Sequence, residues 1–185
     1  MKSSPLVILD RDGVINRDSD AYIKSPDEWN PLPGSLEAMA RLTAAGVRVA
    51  VATNQSGLAR GYFTRETLAA MHAKLRSLLE EAGGRLEYIA FCPHGPRDGC
   101  DCRKPAPGML HEIADALLES RARLEHVPFV GDSISDVRAA LAAGARPVLV
   151  RTGKGERVIA SGELPADVPI HDDLAAFVDA YLKTL

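Results

Sequence analysis

Two aspartates directly after a short apolar run are the residues around which this chain is organised. Asp10 and Asp12 follow the run Leu6–Leu9, and Gly13 comes next. Such a run is typical of a buried parallel strand, and open α/β sheets bind ligands at the carboxyl ends of these strands. Two carboxylates at one strand tip repel each other unless a cation lies between them, and Mg²⁺ prefers such oxygen ligands. The pair therefore indicates a magnesium site, and the alternative is an ordinary Asp/Gly turn.

Further apolar runs alternate with helical patterns along the chain, which indicates a doubly wound, mostly parallel, Rossmann-like α/β sheet. Strands are predicted at 6–9, 47–52, 86–92, 127–131 and 147–150. Helices are predicted from a capping Ser35 to Gly46, after a capping Thr64, from Pro105 to about Leu118, from Asp136 to Ala143 and from Asp173 to Leu182. The stretch 155–169 is expected to be irregular.

The segment between the first strand and the first helix carries Pro26, Pro31 and Pro33, which exclude a helix. Because it has only about 20 residues, it is too short for a separate domain. We expect the segment at about 13–33 to be a flap over the strand ends, with polar contacts from residues 16–24.

The composition limits the classes of function. The chain has 185 residues, of which 46% are hydrophobic, and a formal net charge of -3. This fits one soluble domain over 1–185 and gives no reason to expect nucleic acid or an anionic membrane as a partner. Since no apolar run is long enough for a membrane span or a signal peptide, we expect a cytoplasmic protein.

Polar groups of complementary type follow four of the predicted strands. They are Asp10 and Asp12, Thr53 and Asn54, Lys104, and Asp132 and Asp136. Carboxylates, a hydroxyl and an ammonium at one sheet edge suit phosphoryl transfer, which depends on positioning and charge neutralisation. Taken singly, each has an ordinary alternative as a strand end, a helix cap or a solvated lysine.

Three cysteines and one histidine lie within eleven residues, at about 92–102. The four are Cys92, His94, Cys100 and Cys102. They form a complete tetrahedral Zn²⁺ set of the Cys₃His type, in which no position stays open for water, so we expect a structural zinc. The loop has little apolar content, and a bound metal can supply its order. The alternative is a set of reduced, unligated thiols with an incidental histidine.

Four segments together resemble the haloacid dehalogenase (HAD) superfamily of phosphatases. They are Asp10-Arg11-Asp12-Gly13, Thr53-Asn54, Lys104-Pro105 and Gly131-Asp132-Ser133-Ile134-Ser135-Asp136. The resemblance implies a HAD-type sheet without a separate cap domain. It also implies that Asp10 is the nucleophile and that Asp12 is the general acid and base, while Thr53 and Lys104 hold the phosphate oxygens.

The same resemblance implies the ligands of the catalytic metal. Mg²⁺ is expected between Asp10, the backbone carbonyl of Asp12 and Asp132. Asp136 is expected either to hold a metal-bound water or to orient Lys104.

Within the superfamily, the chain resembles two families that share Cys102-Arg103-Lys104-Pro105. They are the D-glycero-D-manno-heptose-1,7-bisphosphate 7-phosphatases, which supply nucleotide-activated heptose for lipopolysaccharide, and the histidinol-phosphate phosphatases. The stretch from Thr53 to Thr64, with its Arg-Gly-Tyr pattern, resembles the heptose family more closely. The expected partner is therefore a small phosphorylated sugar, and the open geometry favours a monomer.

A bisphosphate needs a second anion site, for which Arg60 and Arg103 are the candidates. Asn54 and Ser56 are further substrate-binding candidates. Ser133 stands where some heptose phosphatases carry Lys or Arg, which removes a cationic contact at that position.

Two other kinds of protein could share some of these features. A receiver-type phosphoacceptor needs an acceptor aspartate after the third strand, but this strand ends at Cys92. A zinc-dependent interaction module would use the cysteine loop and leave the strand-end carboxylates without a role.

Overall fold

The computed structural model describes residues 4–185, and these residues contain a six-stranded parallel sheet with the order β3-β2-β1-β4-β5-β6. The strands are β1 Leu6–Leu9, β2 Arg48–Asn54, β3 Tyr88–Cys92, β4 Pro128–Gly131, β5 Arg146–Val150 and β6 Ile170–His171. The helices are α1 Ser35–Ala44, α2 Arg65–Glu81, α3 Gly108–Leu117, α4 Ile134–Ala143, α5 Gly155–Ser161 and α6 Leu174–Leu182, with a 3₁₀ helix at Arg121–His126. The predicted fold class is confirmed.

Strand β1 lies in the middle of the sheet because both faces of it are apolar. Val7 and Leu9 belong to the apolar layer under α1, α2 and α6, whereas Leu6 and Ile8 belong to the layer under α3 and α4. Alternate residues of a strand point to opposite faces, so a strand buried on both sides must be apolar throughout. The strand order reverses between β1 and β4, and a doubly wound sheet binds its ligand at this point.

The structure corrects the predicted start of α1. The N-terminal capping position is Gly34, which has a φ of 76°, and Ser35 instead donates a hydrogen bond from Oγ to the carbonyl of Ile15 at 2.7 Å. The serine therefore ties the flap to the helix. The cap predicted at Thr64 is confirmed, since its hydroxyl accepts from the amide of Thr67.

Two short elements near the C-terminus were not predicted. The stretch expected to be irregular contains the helix α5, and Ile170–His171 adds a sixth strand at the sheet edge. Both are short and depend on β5: Val158 of α5 packs in one apolar cluster with Leu149, and β6 pairs with β5 as a parallel strand. Such short elements form because a neighbour stabilises them.

Residues 13–33 form an irregular segment with turns, which a buried side chain and a lysine of α2 hold against the rest of the domain. Trp29 is fully buried, and the ammonium of Lys74 donates to the carbonyls of Pro26 and Trp29 at 2.7 and 2.8 Å. Within residues 4–185 no separate cap is present, and none of the helices there combines the length and apolar content that a membrane span needs.

Candidate active site

A polar cavity of about 430 Å³ opens at the carboxyl ends of the central strands. Of the residues singled out in the sequence, those lining it are Asp10, Asp12, Thr53, Asn54, Ser56, Arg103, Lys104, Asp132 and Ser133. Flap residues, including Asp18 and Tyr22, form one wall. The parallel sheet brings these side chains together, because they lie at the carboxyl ends of β1, β2 and β4 or on the loop after β3, all at the same edge.

Lys104 is a buried cation held between two carboxylates. Its ammonium lies 2.9 Å from Asp10 Oδ1 and 2.6 Å from Asp136 Oδ1, and it donates to the carbonyl of Ala52 at 2.9 Å. Burial lowers the pKa of Lys104, but the two carboxylates outweigh it and raise that pKa above its usual value. The other oxygen of Asp136 accepts from the amide and hydroxyl of Ser133 at the start of α4. This geometry makes Asp136 a residue that orients Lys104.

Three buried carboxylates converge beside this lysine. Oxygens of Asp10, Asp132 and Asp136 all lie within 4.8 Å of one another. Burial and the charge of Asp136 raise the pKa of Asp10 to about 7, although Lys104 opposes the shift. Burial and the charge of Asp10 likewise raise the pKa of Asp132 well above its usual value. One lysine cannot neutralise three carboxylates, so this donor set fits a divalent cation.

Two glycines allow the chain to approach Asp132 closely. A Cβ added at Gly13 or at Gly153 would overlap the carboxylate of Asp132, and both glycines have positive φ angles. The amide of Lys154 donates to Asp132 Oδ2 at 2.8 Å, and the Lys154 ammonium pairs with Asp18 of the flap at 3.0 Å. The loop after β5, at 151–154, was not predicted to be part of the site. Its one indication in the sequence is Lys154 between two glycines.

The raised pKa of Asp10 predicts how stability depends on pH and metal. Because the folded pKa is above the unfolded value, the metal-free folded protein binds the additional proton between about pH 4 and pH 7, and it loses stability as the pH rises through that window. A divalent cation bound by the three carboxylates would take the place of this proton. We expect thermal unfolding curves to show a gain in Tm with MgCl₂ of several degrees at pH 8 and a smaller gain at pH 5. Equal gains in Tm at both pH values would show that the cation does not compete with a proton on Asp10.

The carboxylate of Asp12 lies outside this cluster of three and accepts hydrogen bonds from several donors. It accepts from Arg11 Nη2 at 2.9 Å, Asn16 Nδ2 at 2.9 Å and Gln55 Nε2 at 3.0 Å. Burial raises the pKa of Asp12, but the Arg11 charge and these hydrogen bonds outweigh it and lower that pKa below its usual value. Gln55 also donates to the hydroxyl of Thr53 at 2.8 Å, and neither Asn16 nor Gln55 was predicted as part of the site.

Asn54 holds the backbone of the lysine segment in place. Its Oδ1 accepts from the amide of Lys104 at 3.0 Å, and its Nδ2 donates to the Lys104 carbonyl at 3.1 Å. The side chain of Asn54 thus positions the buried cation, in addition to lining the cavity. Ser56 is also buried and lines the cavity.

The two arginines predicted for a second anion site lie apart. Arg103 lines the cavity and donates to the carbonyl of His94 at 3.3 Å. Arg60 is exposed and does not line the cavity; its guanidinium lies 5.8 Å from the ring centroid of Tyr22. Lys154 is a further cation at the cavity wall that sequence reasoning did not identify.

The cysteine loop brings its four predicted ligands together at the end of β3. The sulfur of Cys92 lies 3.0 Å from that of Cys102 and 3.6 Å from that of Cys100. His94 Nδ1 lies 3.3 Å from the Cys102 sulfur and 3.6 Å from the Cys92 sulfur. Ligands at Zn–S bond length in a tetrahedron are about 3.8 Å apart, so the set is slightly contracted and fits one zinc ion.

Comparison with known proteins places this geometry in a family. A family model described as HAD-hydrolase-like matches residues 101–177. The D-glycero-beta-D-manno-heptose-1,7-bisphosphate 7-phosphatase of Pseudomonas putida is 61% identical over 92% of this chain and 95% of its own. The protein of the same name from Pseudomonas aeruginosa is 57% identical over 98% and 99%.

A solved structure supports the same relationship. The D,D-heptose 1,7-bisphosphate phosphatase of Bordetella bronchiseptica, in complex with magnesium and phosphate, superposes with a TM-score of 0.92. It is 52% identical, and the match covers 98% of this chain and 99% of that one. The chain belongs to the D-glycero-beta-D-manno-heptose-1,7-bisphosphate 7-phosphatase family of HAD-like hydrolases.

Proposed function

We propose that this protein removes the 7-phosphate of D-glycero-D-manno-heptose 1,7-bisphosphate through an aspartyl-phosphate intermediate. The observation that carries the proposal is the buried Asp10 at the tip of β1, beside the Lys104 ammonium and two further carboxylates. The identity of the proposed substrate is taken from the names of the family members. The cavity is polar and open, which suits a phosphorylated sugar.

The proposed reaction has two steps at one carboxylate. An oxygen of Asp10 attacks the phosphorus and the bond to the sugar oxygen breaks. Asp12, which must be protonated when the substrate is bound although Arg11 lowers its pKa in the free protein, gives its proton to that leaving oxygen. Asp12 then takes a proton from a water molecule, whose oxygen attacks the aspartyl-phosphate and releases inorganic phosphate. Thr53 and Lys104 hold the phosphate oxygens throughout, because both line the cavity next to Asp10.

Mg²⁺ is the cofactor that we propose for this site. Asp10, Asp132 and the backbone carbonyl of Asp12 would hold it, and Asp136 would act through Lys104. When bound, the ion neutralises the charge between the carboxylate and the phosphate. The Bordetella relative, which is complexed with magnesium and phosphate, supports this choice.

Zn²⁺ is the second metal that we propose, with a structural role in the loop that precedes Lys104. Cys102 lies two residues before Lys104, and the carbonyl of the proposed ligand His94 accepts from Arg103. A metal bound to the four ligands would therefore fix the position of both cations. Metal analysis of the purified protein tests this proposal.

The substrate prediction is tested by two phosphate esters assayed in parallel. With Mg²⁺ present, we expect phosphate release from heptose 1,7-bisphosphate to exceed release from histidinol phosphate by at least about 100-fold in kcat/KM. Preference for histidinol phosphate would overturn the proposed substrate but leave the proposed roles of the catalytic residues in place. Product analysis should show that the 1-phosphate is retained.

The second anion site is tested by comparing two arginine variants. Arg103 lines the cavity, whereas Arg60 lies outside it against Tyr22. We expect Arg103→Ala to raise KM for the bisphosphate by about 10- to 100-fold, since a charge-assisted bidentate contact is lost, and to change KM for a monophosphate much less. Arg60→Ala should have the smaller effect. The reverse order would place the 1-phosphate near the Arg60 loop.

The wider context of the enzyme is part of the proposal. We propose one phosphatase domain over 1–185, with a flap at about 13–33 and a zinc loop at about 92–102. Its product would supply nucleotide-activated heptose for lipopolysaccharide in the cytoplasm. We also propose a monomer, since the cavity is open and the described residues 4–185 contain no cap domain.

A further inference from the structure

The guanidinium of Arg11 is a buried charge that the proposed reaction leaves without a role. Its side chain is fully buried, although arginine is rarely so. Nε and Nη2 donate to Asp12 at 3.1 and 2.9 Å, so the fork of the guanidinium faces the carboxylate that transfers the proton. The third nitrogen, Nη1, points the other way, toward helix α2.

His72 of α2 receives that third nitrogen. Its Nε2 lies 3.3 Å from Arg11 Nη1. A guanidinium can only donate, so His72 Nε2 must accept, and the imidazole must carry its proton on Nδ1. Burial and the positive charge of Arg11 lower the pKa of His72 to about 3, which keeps the ring neutral. The edge-on contact with Phe91, at 6.2 Å between ring centroids, orients the ring.

We propose that His72 acts through Arg11 as a positioning residue for proton transfer at Asp12. The proposal rests on the role of Asp12 stated above. The guanidinium of Arg11 lies between His72 and Asp12. Because His72 accepts from Nη1, the planar group is held with Nη2 against the Asp12 carboxylate. Without that acceptor, Nη1 is a buried donor with no partner, and the guanidinium gains freedom to turn away from Asp12. Asn16 and Gln55 would still donate to Asp12, but the orientation of its carboxylate would no longer be fixed by Arg11 as well.

Substrates that differ in their leaving group test this role. A sugar alkoxide needs the proton from Asp12 when it leaves, whereas p-nitrophenolate leaves without one. We expect His72→Phe to lower kcat/KM about tenfold for the heptose bisphosphate and no more than about twofold for p-nitrophenyl phosphate. His72→Gln, whose amide oxygen can accept from Arg11, should recover most of the loss. Equal losses for both substrates, or no recovery in the glutamine variant, would show a merely structural role.

Two further measurements make the result unambiguous. His171→Phe is the matched control: it makes the same change on β6 at the sheet edge, and it should not separate the two substrates. In ¹⁵N-labelled wild-type protein, the resonances lost in His72→Gln should show the Nδ1–H tautomer. An Nε2–H tautomer or an imidazolium would overturn the proposal without reliance on any variant.

Asp12→Asn separates this inference from the function on which it rests. If the asparagine variant discriminates strongly between the two substrates and His72→Phe does not, the role of Asp12 stands and the role of His72 is rejected. If Asp12→Asn lowers kcat/KM equally for both substrates, Asp12 is not the proton donor. The proposed role of Asp12 and the proposed role of His72 are then both overturned. Discrimination in both variants, larger for Asp12→Asn, supports the proposal.

Discussion

Replacement of Asp10 by asparagine is expected to lower phosphate release from heptose 1,7-bisphosphate by about 10⁴-fold or more. Asparagine keeps the size of the side chain but removes the nucleophilic oxygen charge, so no aspartyl-phosphate can form. The fold should tolerate the change, because burial and Asp136 already disfavour the ionised form of Asp10. We therefore expect the metal-free variant to unfold at a Tm no lower than that of the parent protein at pH 8.

Asp115→Asn is the matched control for this variant. Asp115 is an exposed carboxylate of α3 that pairs with Arg121, and its loss should leave turnover unchanged within about twofold. Acid quenching of the parent enzyme during turnover should trap a phosphorylated chain, and the same treatment of Asp10→Asn should not. Retention of activity within tenfold of the parent would identify another nucleophile.

Much of the sheet was predictable because its central strands are buried on both faces. Runs such as Leu6–Leu9 must be apolar throughout in that environment, and they stand out against the polar loops around them. The elements that were missed are the ones for which local sequence carries little information. Strand β6 has two residues and helix α5 has seven; pairing with β5 stabilises the strand, and packing of Val158 against Leu149 stabilises the helix. The serine at position 35 failed as a cap because Gly34 occupies that position.

The candidate site was predictable to the extent that its residues lie at strand ends or in a motif of recognisable type, as Lys104-Pro105 does after the cysteine loop. Strand direction fixes where Asp10 and Asp132 lie, and the structure brings Lys104 to the same edge. Side chains on longer loops are less constrained, because spacing does not fix their direction. Arg60 illustrates this limit: the loop turns its guanidinium onto Tyr22, outside the cavity. Lys154 illustrates the reverse case, in which a tight glycine turn brings a loop residue into the cavity wall.

Replacement of Lys104 by methionine is expected to reduce both stability and turnover. The ammonium contacts both Asp10 and Asp136, and its removal leaves these two buried carboxylates without a neutralising charge. Loss of one member of a buried ion pair costs about 3–5 kcal/mol in the free energy of unfolding, and loss of a positioned charge at the phosphate costs about 10²–10³-fold in kcat. Urea unfolding and steady-state phosphate release measure the two effects separately.

The two effects of Lys104→Met should respond differently to Mg²⁺. A cation bound by Asp10 and Asp132 restores positive charge to the carboxylate cluster, so we expect added MgCl₂ to recover part of the lost stability. It cannot replace a hydrogen-bond donor to the phosphate oxygens, so kcat should stay low in fully folded protein. Lys183→Met, at an exposed position after α6, controls for loss of a lysine in general. If saturating Mg²⁺ restored kcat together with stability, Lys104 would be a structural counter-ion, and the phosphate contact would have to come from Thr53 and the backbone.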